Sequence, residues 1–175
     1  MLKTLLAVAA FALAAPAHAA EATTPVRAIM DVAVSIWSGE DNDPVDYFDE
    51  DHIGNFSAGL RALYAEASRH PAYDTDEETG SPFDYDPIIS GQDGCPLEDL
   101  TIDEGTATAA GTDVVARFRR FTCFEGSSDA ERNAVSEVHF RVIEEEGTPV
   151  IDDVVAGEGD DRTSLVETLR AIIGG

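Results

Sequence analysis

The chemistry this chain could carry starts from Asp84, Tyr85, Asp86 and Asp93, with Gln92 beside the last. Carboxylates next to a tyrosine do acid–base work when an apolar pocket raises their pKa. The chain holds 35 acidic side chains, however, so closeness in sequence does not show that these few converge. The same residues also read as a latch. Asp86-Pro87 sets a turn, and Gly91 is expected to take a positive φ. Asp86, Gln92 and Asp93 would satisfy loop backbone groups, while Phe83, Tyr85 and Ile88 hold the loop to the core. Asp84, Tyr85, Asp86, Gln92 and Asp93 are therefore the candidate ligand-binding set, and no residue is nominated as catalytic.

Other reaction classes find less support. Ser57 and Ser90 lack the G-x-S-x-G context of an activated serine. His52, His70 and His139 form no H-x-x-x-H metal pair. Asp41, Asp43, Asp46, Asp49 and Asp51, and again Glu158, Asp160 and Asp161, are rich in oxygen ligands for calcium. Neither run has the D-x-[DN]-x-[DN]-G spacing, and both read as solvated charge. No metal and no cofactor are expected.

Cys95 and Cys123 are the two cysteines. Without a C-x-x-C spacing they suit neither zinc nor redox exchange, and in an exported chain they predict a disulfide. Closing a loop of about 29 residues would stabilise the fold by roughly 3.5 kcal/mol in the chain-entropy description.

Export is predicted from the N-terminus. Lys3 supplies a positive start, Leu5–Ala15 is apolar, and Ala17-His18-Ala19 matches a signal-peptidase site. Residues 1–19 are thus expected to be a cleaved signal, and 24–174 one domain of periplasmic or secreted destination. With 11 basic against 35 acidic residues, the net charge is −24. That balance argues against nucleic acid or an anionic membrane as partners, because both require basic patches. The expected partner is an unknown small ligand or an envelope protein.

The elements that must position these side chains follow from periodicity. Thr24 as N-cap and Pro25 at the first helical position predict a helix, with Val26, Ile29, Met30, Ala33, Ile36 and Trp37 on one face and Gly39 ending it. A second helical region is expected over 45–69, broken near Gly54, with Phe56, Leu60, Leu63 and Tyr64 inward. Residues 72–96, rich in Asp, Gly and Pro, read as loop. Alternation then predicts strands over 99–107, 112–124, 134–144 and 149–155. A polar hairpin loop covers 126–132. Ser164 with Glu167 forms a capping box opening a last helix. Helices followed by consecutive antiparallel strands make an α+β fold.

The segment Phe83-Asp84-Tyr85-Asp86-Pro87-Ile88-Ile89-Ser90-Gly91-Gln92-Asp93 is the most distinctive one. Together with Phe56-Ser57-x-x-Leu60 and Ile151-Asp152-Asp153-Val154, it resembles a bacterial family of unknown function, numbered 3828, of the nuclear-transport-factor-2-like superfamily. The resemblance covers roughly residues 25–173. It implies a cone-shaped fold, with helices on the concave side of a curved antiparallel sheet and, in many relatives, a ligand pocket at the mouth. It brings no established activity. Superfamily members related to ketosteroid isomerase use a carboxylate base with a tyrosine and a protonated acid.

The leading expectation is an exported non-catalytic binding module, taking a small ligand in the cone or a protein partner. The alternatives are an isomerase- or hydratase-like enzyme using carboxylates at the cone mouth, and an inhibitor or immunity-type protein with a basic partner. Arg117, Arg119 and Arg141 are expected on the sheet's outer face, paired across strands with Glu137 and neighbouring acids.

Overall fold

The structure, a computed structural model, describes residues 22–39, 46–73 and 79–175. The expected signal at 1–19 and the acids Asp41 and Asp43 lie outside them.

The first helix, α1 (Thr23–Ile36), buries Val26, Ile29, Met30 and Ala33, the spacing of an amphipathic helix. It begins two residues earlier than expected. Ala22 is its N-cap and no side chain caps it, so Thr24 is not the cap. Pro25 still falls in the first turn, where a missing N–H costs no helical bond. The chain leaves α1 at Trp37, and Gly39 (φ 72°) completes the exit in a left-handed conformation.

The second region differs from expectation in its middle. A 3-10 turn (Ile53–Asn55) is followed by extended Phe56, which forms a parallel bridge to Ile151, so Phe56 is not helical. Ser57 then caps α2 (Ala58–Ala67), its Oγ accepting from Leu60 N at 3.0 Å. The break follows Gly54 because bonding Phe56 to the sheet draws the backbone out of helical geometry.

Five antiparallel strands form one open sheet in sequence order: β1 (Glu98–Thr108), β2 (Gly111–Arg119), β3 (Ser136–Glu145), β4 (Thr148–Ala156) and β5 (Thr163–Ser164). β2 ends at Arg119 rather than continuing toward Phe124. Cys95 N then bonds to Arg120 O, diverting the chain to the disulfide. The expected polar hairpin loop contains a helical turn, α3 (Asp129–Arg132), closed by a Ser128–Glu131 capping box. The last helix, α4 (Leu165–Gly174), starts at Ser164, whose Oγ accepts from Glu167 N.

Helices α1, α2 and α4 share one core with the inner row of the sheet: Val114, Ala116, Phe118, Val138, Phe140, Val142, Ile151 and Val154. Phe56, Phe118 and Phe140 fill its centre and are fully buried. A bulge makes this packing self-consistent. Arg141 pairs with Asp153 and Val142 with Ile151, so Asp152 is the extra residue. Without it, Ile151 and Val154 would point to opposite faces; with it, both enter the core.

The outer row carries the arginines as expected. Arg117 Nε donates to Glu137 at 2.7 Å and its Nη1 to Asp103 at 3.1 Å. Arg119 meets Glu98 and Asp99, and Arg141 Nε donates to Asp152 at 3.0 Å. Cys95 and Cys123 are bonded, with Cα atoms 5.6 Å apart. No helix among the described residues is long and apolar enough to cross a membrane.

Candidate functional site

The loop between α2 and β1 is organised around one carboxylate. Asp86 Oδ1 accepts from Ile88 N and Ile89 N, both at 2.9 Å, and so builds its own turn. Asp86 O accepts from Ser90 N, and Asp86 N donates to Gly91 O, each at 2.8 Å. The other carboxylate oxygen reaches across the fold. Oδ2 accepts from Trp37 Nε1 at 2.7 Å and from Tyr47 Oη at 2.6 Å. One side chain therefore joins the exit of α1, the segment before α2 and the loop itself. Ile88 and Ile89 follow the turn into the core, and Phe83 meets Tyr85 edge-on at 5.7 Å.

Gly91 serves a different purpose from the one expected. Ser90, at φ 55°, takes the left-handed conformation in its place. Gly91 is required by close approach, since a Cβ there would stand 2.8 Å from Arg120 Nη1 and 3.0 Å from the Trp37 ring. Gly94 is tighter still: its Cβ would lie 2.0 Å from Trp37 Cζ3. The indole is thus pressed flat against glycine backbone, and its N–H is aimed at Asp86.

Arg120 supports the loop from behind and was not singled out by sequence reasoning. It is 7 % exposed. Its Nη1 donates to Ile89 O at 2.8 Å and Ser90 O at 3.1 Å, and its Nη2 to Glu158 at 3.3 Å. Its parity with Val114, Ala116 and Phe118 in the alternating run is the sequence signal that sets it apart from Arg117 and Arg119.

Between Trp37, Tyr47 and this loop lies a groove of about 890 Å3. All five sequence-nominated residues line it, but they do not converge. Asp86 is occupied by its four donors. Gln92 Nε2 donates to Asp84 O at 3.1 Å, holding the loop closed on itself. Asp84 and Asp93 are exposed. Tyr85 is half-buried, and its hydroxyl meets the Thr168 side chain on α4. Burial, followed by Asp86, pushes the Tyr47 hydroxyl far above its ordinary pKa, and burial pushes Tyr64 up to about 12. Both phenols therefore stay protonated at neutral pH, and Tyr47 donates its hydroxyl hydrogen to Asp86. A second depression of about 380 Å3, between Ala22 and the β1–β2 turn, contains none of the nominated residues.

The Phe56–Leu60 and Ile151–Val154 segments meet one another in space. Ser57 Oγ donates to Asp152 at 2.9 Å, Ser57 N donates to Ile151 O at 2.8 Å, and Phe56 bridges Ile151. Asp153, 6 % exposed, accepts from Val154 N and Val166 N, with Ser164 Oγ 2.7 Å away. It joins β4 to the positive end of α4.

Fold and site together define an α+β protein with an intramolecular disulfide and an aromatic-walled, acid-rimmed surface groove. No protein-family model, curated protein or solved structure matches the chain. Among the described residues, no three His, Cys, Asp or Glu side chains are grouped to hold a metal ion.

Proposed function

We propose that this protein is an exported, non-catalytic binding module of the nuclear-transport-factor-2-like superfamily, related to family 3828, that acts through the Trp37–Asp86 groove. The signal-like N-terminus and the disulfide support an oxidising, extracytoplasmic destination. The helix-backed antiparallel sheet is compatible with the cone. Phe56, Phe118 and Phe140 occupy the space beneath the sheet, which favours a binding surface at the rim over a ligand deep inside.

The observation that carries the reading is the occupancy of Asp86. A carboxylate base needs a free lone pair in an apolar pocket. Asp86 spends its oxygens on four N–H and O–H donors, and Asp84 and Asp93 face water. These are the properties of a rigidly built surface and offer little to an isomerase- or hydratase-like mechanism.

The test uses Trp37, the only tryptophan in the chain. A panel of neutral, cationic and anionic fragments and short peptides is titrated into isotope-labelled protein. At least one class is expected to shift the Trp37 indole N–H resonance together with the Gly91 and Gly94 amides. Shifts confined to other surfaces, or none from any class, would rule out the groove as the binding site.

A further inference from the structure

We infer that the occupant of the groove is a cationic polypeptide segment, with an arginine or lysine side chain seated between aromatic wall and acidic rim. This rests on the binding reading above and adds the chemistry of the partner.

Charge complementarity is the first argument. Asp46, Asp84 and Asp93 line the groove, and among the described residues no lysine or arginine does. The guanidinium of Arg120 stands behind Gly91 and is turned to the Ile89 and Ser90 carbonyls and to Glu158. It leaves the groove face negative. Beyond the groove, a net charge of −24 draws basic partners over long range and repels acidic ones.

The wall gives the second argument. Trp37, Tyr73 and Tyr85 all line the groove, and Tyr73 is 68 % exposed. A guanidinium or ammonium group gains from aromatic faces and from carboxylates at once, whereas an apolar ligand would leave the acids unused and an anion would be repelled. The indole is already immobilised by Asp86 and Gly94, so little order has to be imposed on binding. Size is the third argument: a groove of about 890 Å3 sits at the upper end of the range for ligand pockets and holds several residues of an extended chain.

The experiment follows Trp37 emission while a tetra-arginine peptide is added at low and at high salt. The peptide with citrulline in place of each arginine is the neutral counterpart. Two variants separate the groove from general surface charge. One combines Asp46→Asn, Asp84→Asn and Asp93→Asn. The other combines Glu125→Gln, Glu146→Gln and Glu167→Gln, all exposed and outside the groove. Their melting temperatures verify folding.

Saturable change with tetra-arginine is expected, with loss at high salt and no response to the citrulline peptide. The groove variant is expected to bind at least about tenfold more weakly, with the control variant close to wild type. Equal loss in both variants would show binding to diffuse surface charge and overturn the proposal. Equal binding of the citrulline peptide would remove the role of charge while leaving the groove as a binding site. No response of Trp37 to tetra-arginine would likewise overturn the cationic assignment, and the fragment panel then decides the binding role by itself.

Discussion

Trp37 Nε1 donates to Asp86 Oδ2 at 2.7 Å, linking the end of the first helix to a loop 49 positions further along the chain. Tyr47 Oη reaches the same oxygen at 2.6 Å. The groove wall and the loop that borders it are thus one unit, held by a single carboxylate. Removing that carboxylate strands Trp37 Nε1, Tyr47 Oη and two backbone N–H groups. Asp86→Ala is expected to cost about 3 kcal/mol, and Asp86→Asn less, since an amide oxygen still accepts. Urea unfolding followed through Trp37 emission checks both. A cost within error of zero for Asp86→Ala would contradict the latch.

The glycines packed on the indole give a sharper contrast. Gly94→Ala places a Cβ 2.0 Å from Trp37 Cζ3 and is expected to destabilise by about 1–3 kcal/mol, because the ring is held by its N–H and cannot retreat freely. Gly59→Ala, in exposed helix with its nearest neighbour 3.7 Å away, is expected to stabilise by about 0.5–1 kcal/mol. Thermal melts of the two variants should therefore move in opposite directions.

The Cys95–Cys123 bond secures the far end of the same loop to the chain leaving β2. Cys95→Ser is expected to lose roughly 3.5 kcal/mol, and reduction of the wild type should lower stability by a similar amount. Denaturation midpoints with and without reductant decide this. An unchanged wild-type midpoint after full reduction would refute the stabilising role.

Alkaline pH should loosen the aromatic wall. Burial raises the pKa of Tyr47, and it raises that of Tyr64 to about 12 from 10.0. The folded state therefore holds these protons more tightly than the unfolded state. Their contribution to stability is complete below the unfolded pKa and falls as pH rises past it. The melting temperature is expected to drop from about pH 10 to pH 12, and less steeply in Tyr64→Phe. Parallel curves for variant and wild type would show that Tyr64 has no part in it.

Acid should weaken the outer face by the opposite sign. Hydrogen bonds from Arg117 and then Arg162 hold the Glu137 carboxyl below its ordinary pKa. Its stabilising effect is present above the unfolded pKa and lost as pH falls through the folded one. The Arg117 and Glu137 side chains remain 38 % and 32 % exposed, so water and salt screen the pair and the effect is small. Glu137→Gln should flatten the acid limb of the stability curve slightly at low salt, and the difference should vanish at high salt.

How much of this was legible in the chain can be judged residue by residue. Alternation in 112–118 and 136–142 identified the inner row, because a strand with one buried face must show a period of two. It also assigned Arg117, Arg119 and Arg141 to the outer face, since burying three guanidinium groups is costly. The disulfide followed from two cysteines and an export-like N-terminus. The short helix α3 was legible too, in Ser128-x-x-Glu131, but a polar loop reading passed over it. Phe56 was missed for a different reason. Its hydrophobicity suits a helix face and a bridge to the sheet equally well, and only Ile151, brought close by the fold, selects the second.

Local patterns thus determined the strands, the helices, the buried rows and the identity of the latch segment, because periodicity and turn chemistry act within a few residues. Tertiary structure alone decided what Asp86 does. Its partners Trp37 and Tyr47 lie 49 and 39 positions away, and no spacing rule links a carboxylate to donors on separate elements. The same holds for Gly91 and Gly94, whose role comes from the ring packed on them, and for Arg120, whose burial depends on a loop folding over it. Long-range contacts of this kind form only when the core brings distant segments together, so they appear in the folded molecule and leave no period in the chain.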